Sequence, residues 1–145
     1  MKLGLRFFLS WILSAVSMFI LFYLWHGVFL NDFKRIQFPL TWFVTFAAFS
    51  YLIIAAGMYF FFESRILKRL ENIFLRALLV GVSFGFGLVM VATVVHISLT
   101  RNLTMDHLII NVVWQIGEQT FGVILMALLK LFIREPIQVE IRGDF

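Results

Sequence analysis

An all-α, four-transmembrane-helix bundle is the fold this sequence predicts, and three observations carry that expectation. Hydrophobic residues make up 62% of the 145 positions and charged residues only 14%, which is more apolar surface than a water-soluble domain can hide. The apolar residues gather into four runs, each long enough to cross ~30 Å of hydrocarbon. The cations alternate in their placement between those runs. Lys2, Arg6, Arg65, Lys68, Arg69, Arg76, Lys130, Arg134 and Arg142 fall on one side, and only Lys34, Arg35 and Arg101 on the other. By the positive-inside rule both termini and the middle loop are expected in the cytoplasm.

The first span is expected over about residues 7–30. Lys2, Arg6 and the Ala15-Val16-Ser17 triplet loosely resemble a cleaved leader, but the apolar run continues to Leu30 and argues for a retained helix. The second span covers about residues 38–62, with Pro39 where a first helical turn tolerates it. Between spans two and three, Ile66, Leu67, Leu70, Ile73 and Phe74 recur at helical spacing opposite Arg65, Lys68, Arg69 and Asn72. That pattern predicts an interfacial amphipathic helix over residues 64–76, read as a connector on the inner leaflet. The third span covers about residues 77–100 and carries Gly81, Gly85 and Gly87, small residues that admit a close neighbour within the bundle. The fourth covers about residues 108–129, with Lys130 placed to snorkel to the interface. Together residues 1–133 make one membrane domain, and 134–145 form a short cytoplasmic tail whose 136–142 stretch alternates like a strand.

This composition excludes several function classes. With no cysteine there is no disulfide, thiolate metal site or cysteine nucleophile. The net charge of +4 is explained by topology, so nucleic acid is not an expected partner and the lipid bilayer is. No Ser-His-Asp constellation, phosphate loop or HExxH motif appears, which leans against an enzyme.

What remains is a set of polar residues inside the spans. Glu118 is the only Asp or Glu within the four predicted spans, and a carboxylate at that depth needs pairing, hydration or a proton. Asn111, Gln115, Glu118 and Gly122 are spaced four, three and four, so they form one stripe of the fourth helix, continued outward by His107. Thr93, His96 and Thr100 form a second stripe on the third helix, and His26 stands in the outer part of the first. The resulting expectation is an outward-facing polar cleft with Glu118 at its floor, using His26, Thr93, His96, Asn111 and Gln115 to bind a small solute, ion or lipid. Proton-coupled transport or sensing would suit such a site. A second expectation is a non-catalytic accessory subunit of a larger membrane complex. A third is a metal- or haem-binding protein using the histidines, although their spacing carries no recognised motif and names no cofactor. A four-span transporter would need to dimerise to gain room for alternating access. The four tryptophans and three tyrosines are read as interfacial belts and packing. Asn102-Leu103-Thr104 matches a glycosylation sequon.

Gly81, Gly85, Thr100, the turn Asn102-Leu103-Thr104, the run Ile110-Asn111-Val112-Val113-Trp114 and Gly122 resemble uncharacterised bacterial four-helix integral membrane proteins, a domain-of-unknown-function family. Leu24-Trp25-His26-Gly27-Val28 followed by Phe33 fits the same pattern. In that family an acidic residue often stands three positions before the tryptophan, where this chain has Asn111, and the resemblance implies Glu118 as its displaced equivalent. The resemblance implies four spans in a bacterial inner membrane with cytoplasmic termini, and it implies no activity.

Overall fold

The computed structural model describes residues 4–35, 39–100 and 105–133, without the side chains of 35, 95–100 and 107. Four helices dominate: α1 (Leu5–Phe22), α2 (Leu40–Phe62), α3 (Ile73–Thr100) and α4 (Met105–Phe132). All four are long and apolar enough to cross a membrane. The anticipated sequon and the C-terminal tail with its alternating stretch lie outside the described residues.

The helices close a ring in which α1 lies between α2 and α4, and α3 packs chiefly on α4. Two glycines explain the intimacy of α3 with α4. A Cβ added at Gly81 would run into the Thr120 backbone, and one at Gly85 into Ile116. Gly81 and Gly85 are therefore used inside the bundle, as the spacing suggested, whereas Gly87 faces open space. Across the ring, Ser14 on α1 donates to the Gly122 carbonyl on α4 at 2.9 Å, and Trp11 donates its indole N–H to the Leu52 carbonyl on α2 at 2.7 Å. Gly122 thus serves as a crossing point where Met18 lies against its bare backbone.

Apart from Phe62 the core is built of small or flexible side chains: Met18, Ala55, Met58, Ala77, Val80, Val123, Met126 and Ala127 are fully buried beside it. Outward, the surface is apolar. Phe49, Ile53, Val91 and Val113 are all more than half exposed, a distribution that suits hydrocarbon and not water. Exposed hydroxyls on this surface bond back to their own helix, Ser17 to Leu13, Thr45 to Thr41 and Ser50 to Phe46. Each polar group thereby brings its own partner into the apolar layer.

At three places the structure departs from the expected elements. First, α1 does not run evenly to residue 30. From Tyr23 to Phe29 it widens into a π-helix, closed by the Leu30 N–H on the Trp25 carbonyl at 2.8 Å. Asn31 then turns the chain in a left-handed conformation (φ 57°). Phe33 folds back beneath Gly27, where an added Cβ would stand 2.6 Å from its ring.

Second, the amphipathic helix expected over 64–76 does not form as one helix. A turn and a 3-10 segment (Leu67–Arg69) lead to an extended Leu70, and α3 begins at Ile73. The reason lies in Asn72, whose side-chain oxygen accepts the backbone N–H groups of Phe74 (2.9 Å) and Leu75 (3.1 Å). Asparagine gains more by capping a helix start than by sitting inside a helix, so the helical period is cut there. Leu67, read as part of an interfacial stripe, is buried against the core.

Third, Lys130 does not snorkel outward. It is buried, forms an ion pair with Glu63 just past the end of α2, and lies over the rings of Tyr59 (4.1 Å) and Phe62 (4.9 Å). Lys68 holds the other Glu63 oxygen at 2.9 Å. Burial alone would raise the Glu63 carboxyl, but the two ammonium groups outweigh it and hold it below the ordinary glutamate value.

Candidate functional site

Glu118 is 3% exposed and sits in the middle third of α4. Its own helix supplies most of its partners. Trp114, one turn earlier, donates its indole N–H to Oε2 at 3.1 Å; Gln115 and Gln119 donate amide N–H groups to Oε1 at 3.4 and 3.3 Å. From α2, the Tyr51 phenol interacts with both Glu118 and Gln115. A carboxylate offers roughly four acceptor positions, and here neutral donors from two helices address them. Among the described residues no cation pairs with Glu118.

Part of the polar stripe read from the sequence is thus realised. Gln115 reaches Glu118, and Gly122 lies on the same face but serves packing. Asn111 is half-buried and Thr93 is half-buried on α3; neither belongs to the Glu118 network or to the cavity wall described below. The side chains of His96 and His107 lie outside the described residues. His26 is directed elsewhere: its Nδ1 meets Asp32 Oδ2 at 2.9 Å in the loop that follows the π-helix. Among the described residues no three His, Asp or Glu side chains gather as a metal site would need.

The cavity next to Glu118 differs in character from the expected polar cleft. It encloses about 470 Å³ between the end of α1 and the outer face of α4. Leu21 and Trp25 form one wall; Ile109, Ile110, Val113, Trp114, Gly117 and Phe121 form the other, and Glu118 is its only ionisable contributor. Ile109, Val113 and Phe121 are at least half exposed, so the cavity opens sideways on the apolar surface. Gly117 creates much of the opening, since a Cβ there would meet nothing within 4 Å. At one end of it the indoles of Trp25 and Trp114 stack at 4.1 Å and 8°. The π-helix makes this stack reachable, because a widened turn rotates the following side chains relative to an ideal α-helix. Trp25 also has an indole N–H with no partner among the described residues.

Tyr51, Trp114 and Gln119 were missed as site residues in the sequence. Trp114 and Gln119 stand within one turn of Glu118, so their spacing was a usable signal that the belt reading of tryptophan obscured. Nothing in the sequence signals Tyr51, which comes from another helix.

No protein-family model, curated protein or solved structure matches the chain. The chemistry of the site has to come from its own geometry. That geometry offers a hydrogen-bonded carboxyl group, a flat aromatic wall and an apolar trough within one volume, a combination typical of small-molecule pockets.

Proposed function

We propose that this protein is a small membrane protein that binds a membrane-dissolved amphiphile in the lateral groove between α1 and α4. The apolar body of the ligand lies along Val113, Gly117 and Phe121, and its single hydrogen-bonding head reaches Glu118. The observation that carries this reading is the side-opening cavity of about 470 Å³ that ends on the one ionisable residue in its wall. A water-soluble ion or sugar would gain little from such walls, whereas a lipid-soluble molecule enters without leaving hydrocarbon. Exchange of the Glu118 proton with the head group is the step that would couple occupancy to transport or sensing. Placement of both termini in the cytoplasm rests on the nine-to-three bias of cations.

The accessory-subunit alternative draws less support. Two of the three glycines that would have offered a docking face on α3, Gly81 and Gly85, are occupied by α4, and only Gly87 is open.

Two substitutions test the groove in different ways. Gly117→Leu places a side chain in the cavity from a position where an added Cβ meets nothing within 4 Å, and Glu118→Gln removes the charge at nearly constant shape. Protein extracted mildly from its own membranes is weighed intact by native mass spectrometry, and the apolar molecules it retains are identified. The expected result is a defined adduct on the natural chain that both variants lose while remaining folded. An adduct retained equally by both, or none on the natural chain, would overturn the proposal.

A further inference from the structure

The end of the bundle that holds Glu63 carries a second arrangement, separate from the groove and not dependent on it. Three helices each send a cation there: Arg6 from the first turn of α1, Arg76 from the first turn of α3 and Lys130 from the last turn of α4. Arg76 lies over the Phe62 ring with its guanidinium carbon 4.0 Å from the centroid, and Lys130 addresses the same ring at 4.9 Å. Arg6 and Arg76 are both within electrostatic reach of Lys130. Among the described residues one carboxylate, Glu63, pairs with this group, and its two oxygens are taken by Lys130 and Lys68.

Among the described residues, positive charge is therefore in excess at this end of the bundle. The Nε–H groups of Arg6 and Arg76 are buried and have no hydrogen-bond partner among the described residues. Both arginine side chains are only partly buried and so reach the surface at the end of the bundle, whereas Lys130 stays buried behind them. Convergent guanidinium groups with spare donors beside a lysine are the chemistry that recognises a phosphate group, because the forked N–H geometry matches its oxygens. At the level where helices leave hydrocarbon, basic pockets between helices bind phosphate-bearing lipid headgroups.

We propose that Arg6 and Arg76, with the buried Lys130 ammonium adding to the positive field behind them, form a phosphate-binding site at this end of the bundle. The phosphate is that of an anionic phospholipid headgroup or free phosphate, and either would supply the counter-charge that Glu63 alone does not. Its acyl chains, in the first case, would lie against the exposed apolar flanks of α1 and α3, where Leu5, Phe74 and Leu75 are at least 45% exposed.

The experiment measures thermal unfolding of the purified full chain in a neutral detergent. Additions are phosphatidylglycerol, phosphatidylcholine or inorganic phosphate, each tested on the natural protein and on Arg6→Gln/Arg76→Gln. The expected result is a rise in Tm of several degrees with phosphatidylglycerol and none with phosphatidylcholine, abolished in the double variant. An equal rise with inorganic phosphate, also lost in the variant, assigns the site to free phosphate. Equal responses to both lipids, or a shift that survives the double substitution, would overturn the proposal. Should the double variant not fold, native mass spectrometry of the natural chain in an equimolar mixture of the two lipids decides. Preferential retention of phosphatidylglycerol supports the site, and equal retention refutes it.

Discussion

Glu118 and Glu63 are both glutamates held by α4, and the molecule treats them in opposite ways. Glu118, deep in the bundle, is surrounded by neutral donors: Trp114, Gln115, Gln119 and Tyr51. Glu63, at the bundle end, is clamped by two ammonium groups. The difference follows from depth. In hydrocarbon an ion pair requires two costly desolvations, whereas dipolar donors hydrogen-bond the carboxyl oxygens without a second charge to desolvate. Near the polar layer water and headgroups share the cost, and charge pairing becomes economical. The lesson is that a polar residue in a membrane bundle is classified by its partners: one pattern permits proton exchange, the other fixes a charge.

The largest effect should come from breaking the charge-fixed site. Glu63→Gln leaves Lys130 buried between Tyr59 and Phe62 without its carboxylate, beside two arginines. Removing one partner of a buried pair costs about 3 kcal/mol, measurable as reduced resistance to unfolding in mixed micelles. Glu118→Leu should cost less, about 2 kcal/mol, by stranding the N–H donors that now share one carboxylate. If instead Glu118→Leu is the more damaging change, the contrast between the two sites is wrong.

Acidification sharpens the same comparison. Because the Glu63 value is lowered on folding, its contribution is fully present above the ordinary glutamate value and is lost as pH falls through the lowered one. The difference in stability between the natural protein and Glu63→Gln should therefore shrink as the pH is taken below the usual carboxylate range. A difference that stays constant through that window would show that Glu63 is not stabilised by charge.

The smallest effect concerns the wall of the groove. Trp25→Leu removes the stack on Trp114 but leaves the donors to Glu118 in place, and should cost about 1 kcal/mol. Its tryptophan fluorescence should report a changed environment for Trp114, while binding in the groove weakens without being abolished. Complete loss of binding would make Trp25 a principal ligand contact.

Much of this was legible before any tertiary contact was known. Each span was visible because a run of apolar residues is a property of composition along the chain, and helix ends fell within a few residues of the expected limits. The Glu118–Gln115 contact was visible because both residues lie on one helix face. Residues 64–76 misled because periodicity cannot tell a continuous helix from two segments divided by a cap; Asn72 decided it locally. Lys130 misled because snorkelling and inward pairing share one sequence pattern, and the choice turned on Glu63, distant in the chain.

The chain by itself determined four apolar helices and a glutamate buried in the last, because hydrophobic length and helical period are local quantities. Only the tertiary structure decided that Tyr51 joins Glu118, that Trp25 stacks on Trp114, and that Arg6, Arg76 and Lys130 share one end. Those are meetings between helices. They depend on which faces pack and how closely, and Gly81, Gly85 and Gly122 set those distances only once their neighbours are in place.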